Sequence, residues 1–409
     1  MSQPCSILAA DVVTSLGAGC EEVWSQMMRG TCGLRPMKRF PHGKYRTDVA
    51  GEIPDEVMAG LAPHGAGADE TRAYALALGV GRRLVRALPA DLPRQQTGLV
   101  LATTKAEIDE LHHKVLSREI RDATLFSIKK LSVFMENRVA SLISRERFNP
   151  FVMARDLARD LGLAGPVLAV SSACASGSIA IIQAARLLTR GEADRVLVIG
   201  VDVLADFILA GFSALAALSR GPCRPFDQSR DGLSLGEGAG ALLLARAPDR
   251  GSPLAILRGW GMTGDACHIT APSRTGEGLR RALLGALAMA GLAPQDIHYI
   301  NSHGTGTVYN DEMEAEALGA VFGEAGPPVS SMKGYFGHTL GAAGVIEAAL
   351  CLKVLRERAV PASMGLTDLG VGRPINVTRV PLRPDPLDNL LTIKCGFGGV
   401  NAVLAISRA

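Results

Sequence analysis

Aromatic side chains are scarce in this chain, which has two Trp, five Tyr and eleven Phe among 409 residues, or 4% in all. Hydrophobic residues still make up 47%, so the core must be built mainly from Ala, Leu, Val and Ile, and the 46 glycines favour tight turns and close packing. Basic and acidic residues nearly balance, with a net charge of +3, and no basic run is interleaved with aromatics. These absences predict an aliphatic globular core and argue against nucleic acid as the main partner.

Cysteine spacing and the length of apolar runs exclude two further classes of protein. None of the eight cysteines forms a C-x-x-C pair, so neither a zinc site nor a disulfide framework is indicated. The uncharged stretch 167–185 is broken by Ser, Gly, Cys and Gln, which is typical of a buried core segment. The first residues lack the basic and apolar regions of a signal peptide. We therefore expect a cytoplasmic protein without a membrane span.

Strand and helix patterns alternate along most of the chain, which predicts an α/β fold with buried strands. The pattern begins again near residue 253, so the chain divides into two similar parts, residues 1–250 and 251–409. Residues 106–147 interrupt the alternation, because they are charged and helix-prone, and we expect them to cap a pocket or form a subunit contact. No G-x-G-x-x-G motif opens a helix, so a dinucleotide-binding fold fits poorly.

Cys174 is the first candidate for chemistry. It follows a strand pattern over 166–170 and precedes a helix pattern that ends near residue 190, and a thiol at a helix N-terminus is favoured as the thiolate. A lone cysteine is more often an inert core residue. His303 and His338 favour the reactive alternative, because each lies in a glycine-rich loop after a strand-like run, where catalytic side chains are usually displayed. The three residues together indicate acyl transfer.

A series of short motifs runs in order over nearly the whole chain. They are SACASG at 172–177, RPFD at 224–227, RDG at 230–232, GEGAG at 236–240, HGTGT at 303–307, ND at 310–311, Lys333, GH at 337–338 and GFGG at 396–399. Together they resemble the β-ketoacyl-acyl carrier protein synthases of the thiolase superfamily. His338 stands where the chain-initiating type carries Asn, so the chain is most similar to the elongating, Cys-His-His type.

The resemblance implies an α/β, thiolase-like, five-layered αβαβα fold built from two similar halves. The N-terminal ketosynthase half, residues 1–250, would carry the nucleophilic Cys, and the C-terminal half, residues 251–409, would carry both catalytic His. Cys174 would hold the acyl group as a thioester, and the backbone N–H groups of Cys174 and Phe397 would form the oxyanion hole. His303 and His338 would stabilise a malonyl-derived enolate. Lys333 would be the fourth catalytic residue and would set the electrostatics around the histidines.

Three acids are assigned to the support of Lys333 by the same resemblance, and they are Asp311, Glu314 and Glu347. From the residues alone, Asp311 and Glu314 also suit a capped, solvated first helical turn. Glu347, on an otherwise apolar helix, equally suits a buried ion pair or a metal contact.

Other positions match family residues with binding roles. The hydroxyls of Thr305 and Thr307 resemble those that bind the pantetheine arm. Phe397, between glycines, resembles a gate that moves as the acyl chain enters, and a core aromatic beside a tight turn is its plain alternative. No catalytic metal is implied, but part of a site for a structural monovalent cation is matched by Asn301, Glu347 and Asn401.

Two segments depart from the family pattern and predict a different acyl pocket. Residues 103–108 read Thr-Thr-Lys-Ala-Glu-Ile where many members have a glycine-rich turn. Tyr335 and Phe336 add bulk before Gly337, where smaller residues are frequent.

The implied reaction is a decarboxylative Claisen condensation of the Cys-bound acyl chain with malonyl-acyl carrier protein, in fatty acid or type II polyketide or polyene biosynthesis. No bound cofactor is implied, because the substrates arrive on the phosphopantetheine of acyl carrier protein. The expected partners are that carrier and a second chain, in a homodimer or in a heterodimer with a related ketosynthase-like chain. Two alternatives are a chain-length-factor-like partner, which usually lacks the nucleophile, and a thiolase-like acyltransferase, which needs a second Cys within the loop at 396–399.

Overall fold

The computed structural model describes residues 4–61, 71–86, 94–107, 149–247 and 252–409. The segment predicted over 106–147 to cap a pocket or contact a subunit lies outside the described residues from position 108 onward. The predicted boundary between residues 250 and 251 also lies outside them.

The N-terminal half contains a mixed set of strands and helices. Its strands are β1 Cys5–Thr14, β2 Gly17–Ala18, β3 Arg35–Pro36, β4 Val49–Ala50, β5 Thr97–Ala102, β6 Val167–Val170, β7 Arg195–Asp202 and β8 Gly238–Arg246. Its helices are α1 Cys20–Met28, α2 Asp55–Leu61, α3 Arg72–Arg86, α4 Pro150–Asp160, α5 Ser176–Thr189 and α6 Asp206–Ala214, with a 3-10 turn at Arg94–Gln96. Periodicity did not predict α4, which begins with a local signal: the side chain of Asn149 accepts the N–H of Phe151, with Pro150 at the first helical position.

The C-terminal half follows the predicted alternation closely. Its strands are β9 Ala255–Gly264, β10 Tyr299–Asn301, β11 Val329–Ser330, β12 Asn389–Gly396 and β13 Val400–Arg408. Its helices are α7 Glu277–Ala290, α8 Val308–Phe322, α9 Lys333–Phe336 and α10 Ala343–Glu357, with 3-10 turns at Pro294–Asp296 and Leu340–Ala342. The sequence predicts α7 over residues 277–290, where it is found, and Gly291 ends the helix in the left-handed conformation with φ of 65°.

The strands of the two halves are arranged in the same order. The main sheet runs β11-β10-β12-β13-β9-β1-β8-β7-β5-β6. Each half contributes five of these strands, numbered here in chain order: β1, β5, β6, β7 and β8 in the N-terminal half, and β9, β10, β11, β12 and β13 in the C-terminal half. From the centre outward, both halves have the order first, fifth, fourth, second, third. In each half the second, third and fourth strands are parallel and the fifth is antiparallel to its neighbours. The halves join where residues 5–7 of β1 pair with residues 255–257 of β9. This repeated order is the duplication that the sequence pattern predicts.

Apolar side chains that alternate along the strands divide the molecule into five layers. In β5, Leu99 and Leu101 pack with α3 and α4 on the outside, whereas Val100 and Ala102 pack with α5 and α10 on the inside. In the second half, Val403 and Ala405 pack outward against α7, whereas Ala402, Leu404 and Ile406 face the inner cluster. The inner helices α5 and α10 thus lie between the two parts of the sheet. Among the described residues, no helix has both the length and the apolar character needed to cross a membrane.

Small residues set the distance between the two inner helices. A Cβ added to Gly344 would come within 2.3 Å of the Ser178 backbone nitrogen, and one added to Gly177 would come within 2.7 Å of the Val345 nitrogen. The helices therefore meet backbone to backbone near their first turns. Because the loops that precede both helices carry the candidate residues, this contact brings those loops together.

Candidate active site

Cys174 lies in the turn that joins β6 to α5. Ala173 adopts a left-handed conformation with φ of 46°, which turns the chain sharply before the helix. The hydroxyl of Ser176 fastens the turn, because it donates to the Ala173 carbonyl at 2.6 Å and accepts from the Ser172 N–H at 2.8 Å. From the other half, a Cβ built on Gly396 would lie 3.4 Å from the Cys174 nitrogen. The thiol is held between the halves and is only 6% exposed.

Burial raises the pKa of the Cys174 thiol to about 12. The positive charge of Lys333 and the backbone N–H groups of Cys174 and Phe397 lower that pKa, but they do not outweigh burial. The expectation of a thiolate favoured by the helix N-terminus is therefore wrong for the free protein. The two N–H groups nevertheless interact with the sulfur, so they are placed to meet an oxyanion that forms on a carbonyl attached to it.

Two buried acids hold the loop that carries His303 after β10. Glu314 accepts the backbone N–H groups of His303 and Gly304, each at 2.6 Å. Asp311 accepts the N–H groups of residues 305–306 at 3.1 and 3.2 Å. Both acids are fully buried, so a solvated helix start is the wrong interpretation for them. Their carboxylates replace the hydrogen bonds that a glycine-rich loop cannot make within itself.

His338 presents a ring N–H to the site. Its backbone N–H donates to the Ser234 carbonyl at 2.7 Å, and its Nδ1 accepts the Leu340 N–H at 3.3 Å, so the ring proton of the neutral form lies on Nε2. Nε2 is buried without a hydrogen-bond partner among the described residues. The rings of His303 and His338 are 5.2 Å apart and nearly perpendicular. Burial and nearby lysines hold the pKa of both imidazoles well below 6.5, which keeps them neutral donors at neutral pH.

Lys333 connects the histidine loop to α10. Its ammonium donates to the His303 carbonyl and to Glu347 Oε1, the latter at 2.9 Å. The other oxygen of Glu347 lies 2.7 Å from a second buried ammonium, that of Lys394 on β12. All three charged side chains are fully buried. Of the alternatives for Glu347, the structure shows the buried ion pair. Of the three acids predicted to support Lys333, Glu347 is the one that contacts its ammonium directly.

A lysine ammonium lies between the residues that the sequence matches to a cation site. Lys394 Nζ lies 3.1 Å from Asn301 Oδ1 and 2.7 Å from Glu347 Oε2, so a protein ammonium already lies against both oxygens. Asn401 points its amide elsewhere and donates to Asp265 at 2.7 Å. Within the described ranges, no group of three or more His, Cys, Asp or Glu suits a metal ion. This donor set does not fit the expected monovalent cation, because a positive charge between these oxygens would meet Lys394.

One cavity of about 380 Å³ brings the predicted residues together. Cys174, His303 and His338 line it, and so do Thr305 and Thr307. The two threonine hydroxyls lie 2.9 Å apart on the same stretch of the cavity wall. A substrate in this cavity would therefore meet the thiol, both imidazoles and a pair of hydroxyls, which is the arrangement that the sequence resemblance implies.

Phe397 stands at the mouth of this cavity in the turn between β12 and β13. It is 37% exposed, so it is not a core aromatic, and its ring stacks on Phe212 of α6 with centroids 5.7 Å apart. Gly398 and Gly399, with φ of 86° and 75°, give the turn a conformation that larger residues rarely adopt. These contacts are compatible with the predicted gate, which stays a prediction.

The segments that depart from the family pattern lie at different distances from the cavity. Thr103 donates to the buried carboxylate of Asp202 at 3.0 Å, and Asp202 accepts the Gly341 N–H at 2.7 Å, so residues 103–104 are tied to the loop that follows His338. Tyr335 and Phe336 instead pack in the inner core and are absent from the described cavity lining. Their effect on the shape of the acyl pocket stays a prediction.

Two residues of the site escaped the sequence reasoning. Phe212 lies in an apolar run at 207–218 whose pattern does not mark any one position. Lys394 had a clearer signal, because a lysine inside an apolar strand is rarely buried without a partner. That signal predicts a buried ion pair, but not which acid forms it.

The geometry of the site defines a class of protein. A thiol, two N–H groups at its sulfur and two neutral imidazoles between the halves of a thiolase-like fold serve the transfer of acyl groups to a carbon nucleophile. The chain is thus a condensing enzyme.

Comparison with known proteins gives the family. Residues 2–250 match the family model described as the β-ketoacyl synthase N-terminal domain, and residues 254–367 match that of the C-terminal domain. The chain belongs to the β-ketoacyl synthase family. A 3-oxoacyl-[acyl-carrier-protein] synthase 2 of Staphylococcus aureus is 31% identical to it, over 98% of this chain and 97% of that protein.

Two solved structures extend over the whole chain. The ishigamide ketosynthase/chain length factor has a TM-score of 0.86 at 26% identity and covers 100% of both chains. The ketosynthase ApeO in complex with its chain length factor ApeC, from Xenorhabdus doucetiae, has a TM-score of 0.79 at 28% identity and covers 100% of this chain and 98% of that one. Both likenesses agree with the thiolase-like fold described above.

Proposed function

We propose that this protein is a β-ketoacyl-acyl carrier protein synthase that condenses an acyl chain, held on Cys174, with a malonyl group on a carrier protein. The observation that carries the proposal is that Cys174, His303 and His338 line the same cavity. The first step exchanges thiols: a bond forms between the Cys174 sulfur and the acyl carbon, and the bond to the pantetheine sulfur breaks. The proton of the Cys174 thiol ends on the departing sulfur, so no charge is left in the buried site.

The second step makes a carbon nucleophile without removing a proton from carbon. An ordinary thioester α-proton is only weakly acidic, so its removal needs a strong and well-placed base, whereas the loss of CO2 from a malonyl thioester leaves the electron pair of the broken C–C bond as an enolate. The Nε2–H of His338 is a neutral donor without a partner in the part of the chain that the structure describes, and the imidazole of His303 lies beside it. Donors fixed in a buried site are suited to the stabilisation of a developing oxyanion.

The third step joins the two acyl units. The enolate carbon attacks the Cys174 thioester, and the backbone N–H groups of Cys174 and Phe397 stabilise the tetrahedral oxyanion. Collapse of this intermediate releases the β-ketoacyl carrier and the Cys174 thiolate, which takes up a proton. A thiol whose pKa is about 12 recovers that proton readily and returns the enzyme to its neutral state.

The proposed partners are acyl carrier protein and a second ketosynthase-like chain. We also propose that the protein is cytoplasmic and that it uses no bound cofactor. All eight cysteines are free, which is typical of a reducing compartment. Strand β6 is at the edge of the main sheet, and its four residues, Val167–Val170, are only half-buried. An apolar edge strand of this kind favours pairing with another chain. The Xenorhabdus ketosynthase in complex with its chain length factor supports a heterodimer as one form of that pair.

The proposal is tested by incubation of the protein with acyl and malonyl carrier proteins. We expect a β-ketoacyl product, CO2 in equal amount, and an acyl adduct visible in the intact mass of the protein. The adduct should be absent from Cys174→Ala and unchanged in Cys5→Ala, which removes another buried thiol. An adduct on Cys174→Ala, or product from acetyl thioesters alone, would contradict the proposal and favour a thiolase-like enzyme.

Native mass spectrometry of the protein, purified alone and after co-expression with a neighbouring ketosynthase-like chain, tests the assembly. We expect a dimer in both cases. A protein that turns over as a monomer would exclude the proposed pairing through β6.

A further inference from the structure

A second buried lysine lies beside the catalytic groups. Lys394 sits near the end of β12, two positions before Gly396, and its ammonium is fully buried. It lies 2.7 Å from Glu347 Oε2, 3.1 Å from Asn301 Oδ1, and within hydrogen-bond distance of two further oxygens on residues 392–393. A buried charge is tolerated only when it is paired and hydrogen-bonded in this way. Lys394 thus ties together β12, the end of β10 and α10.

Glu347 is the centre of a chain of contacts that ends at the histidine loop. Its Oε1 binds Lys333 at 2.9 Å and its Oε2 binds Lys394, so neither oxygen has freedom to turn. Lys333 in turn donates to the carbonyl of His303. If Lys394 were absent, Glu347 would keep Lys333 as its one ammonium partner among the described residues and could rotate within the space left behind.

We propose that Lys394 is a positioning residue of this active site: it fixes the second oxygen of Glu347, so that Glu347 holds Lys333 against the loop that carries His303. The inference rests on the proposed function, because it assigns Lys394 to the step in which the histidines act. Lys394 does not line the cavity within the described residues, so it acts through Glu347 and Lys333 and not on the substrate.

The same arrangement supplies an electrostatic contribution. Within the group Lys333, Glu347 and Lys394, two ammonium groups and one carboxylate leave one net positive charge; burial lowers the pKa of Lys394, and Glu347 opposes that effect. Both lysines lower the pKa of each imidazole, in addition to the larger effect of burial. Neutral imidazoles can then donate to an enolate, and the excess positive charge favours the formation of that anion in the low-dielectric interior. The cluster consists of Lys333, Glu347 and Lys394. The other titratable and charged groups around it are Cys174, Asp202, Tyr299, His303, Asp311, Glu314, His338, Cys351 and Cys395.

Lys394→Met tests the proposal because it removes the charge and keeps most of the volume. We expect the release of CO2 from malonyl carrier protein to fall by at least about tenfold. The acid limb of its pH profile should move to higher pH, because a positive charge that disfavours the imidazolium is lost. Alkylation of Cys174 by iodoacetamide should stay within about twofold of wild type, since the thiol does not touch this cluster directly. Lys353→Met, a matched change of another buried lysine on α10, should leave all three readouts unchanged.

Other outcomes overturn the inference. A Lys394→Met protein with the wild-type rate and pH profile would show that Lys394 does not position the site. Parallel losses of decarboxylation and of Cys174 alkylation, with an unmoved pH profile, would show a purely structural role. If Lys394→Met does not fold, Lys394→Gln is judged by the same criteria.

Histidine NMR adds a measurement that does not depend on turnover. We expect the imidazoles of His303 and His338 to protonate at higher pH in Lys394→Met than in the wild type, because a positive charge that disfavours the imidazolium is lost. The same protonation pH in both proteins would overturn the inference. A wild type that releases no CO2 would refute the proposed function instead, while this comparison would still test the charge at Lys394.

Discussion

The two halves of the molecule share one strand order but carry different groups at equivalent places. The loop after the second strand begins with Thr103 in the N-terminal half and carries His303 in the C-terminal half. After the third strand, the N-terminal half presents Cys174, whereas the C-terminal half presents Lys333 and then His338. Since parallel strands end at the same sheet edge, all these groups meet between the halves. The repeated strand order thus provides two equivalent sets of loops, with the proposed nucleophile on one set and the proposed anion donors on the other.

The connection between the fourth and fifth strands differs even more. In the N-terminal half it spans residues 203–237 and includes α6, and in the C-terminal half it is the turn 397–399. The long connection brings Phe212 to the cavity mouth and the short one brings Phe397, and their rings stack. The two halves therefore contribute one side each to the entrance, just as they contribute one part each to the chemistry.

Removal of the proposed nucleophile should distinguish the roles of the two halves most clearly. In Cys174→Ala we expect condensation to fall by at least about 10³-fold, because no thioester can form. Decarboxylation of malonyl carrier protein should persist, since the histidines belong to the other half. Product and CO2 are measured in parallel, with Cys5→Ala as the control. Equal loss of both activities would show that the two halves do not act separately.

In His338→Ala we expect the opposite result, in which decarboxylation is lost and acylation of Cys174 is kept. Its Nε2–H is a buried donor with no partner within the described ranges, and the loss of one such donor typically lowers the rate by about 10² to 10³-fold. Decarboxylation should fall by that factor, while intact mass should still show acylation of Cys174. Loss of the acyl adduct in this variant would contradict the division of roles.

The pH dependence of thiol reactivity tests the environment of the nucleophile in the first half. Because the pKa of Cys174 is about 12, its thiolate fraction, and so its rate of alkylation, should rise about tenfold per pH unit between pH 7 and 9. Mass spectrometry of the Cys174 peptide after treatment with iodoacetamide measures this rate apart from the exposed Cys267. A plateau below pH 8 would show that the thiol is not shifted upward.

The contact between the halves should be sensitive to a single methyl group. In Gly344→Ala the new Cβ would lie 2.3 Å from the Ser178 nitrogen, and forced overpacking of this kind typically costs about 1 to 3 kcal/mol. Thermal unfolding should show a lower Tm. Gly211→Ala in α6 is the matched control, because a Cβ there meets open space, and we expect its Tm to be unchanged or slightly raised. A Tm for Gly344→Ala equal to that of the control would mean that the helices can separate without cost.

Much of the fold follows from local pattern. Residues 277–290 and 97–102 show the helix and strand periods clearly, and the structure places α7 and β5 there. Cys174, His303 and His338 were found because each stands among glycines and small residues at the end of a strand pattern. The start of α4 was missed because its signal lies in one capping residue, Asn149, and not in a period.

Neighbours along the chain are enough to predict the alternation of strands and helices, the repetition of that pattern, and Cys174, His303 and His338 as candidate site residues, because each of these depends on local pattern. Tertiary structure alone decided which buried charges pair, which ring nitrogen of His338 carries the proton, and that the thiol is held neutral. Lys394 and Glu347 are far apart in sequence, and only folding places an ammonium against a carboxylate and removes both from water. Burial, which raises the pKa of Cys174 and lowers those of the histidines, likewise exists only once the halves have come together.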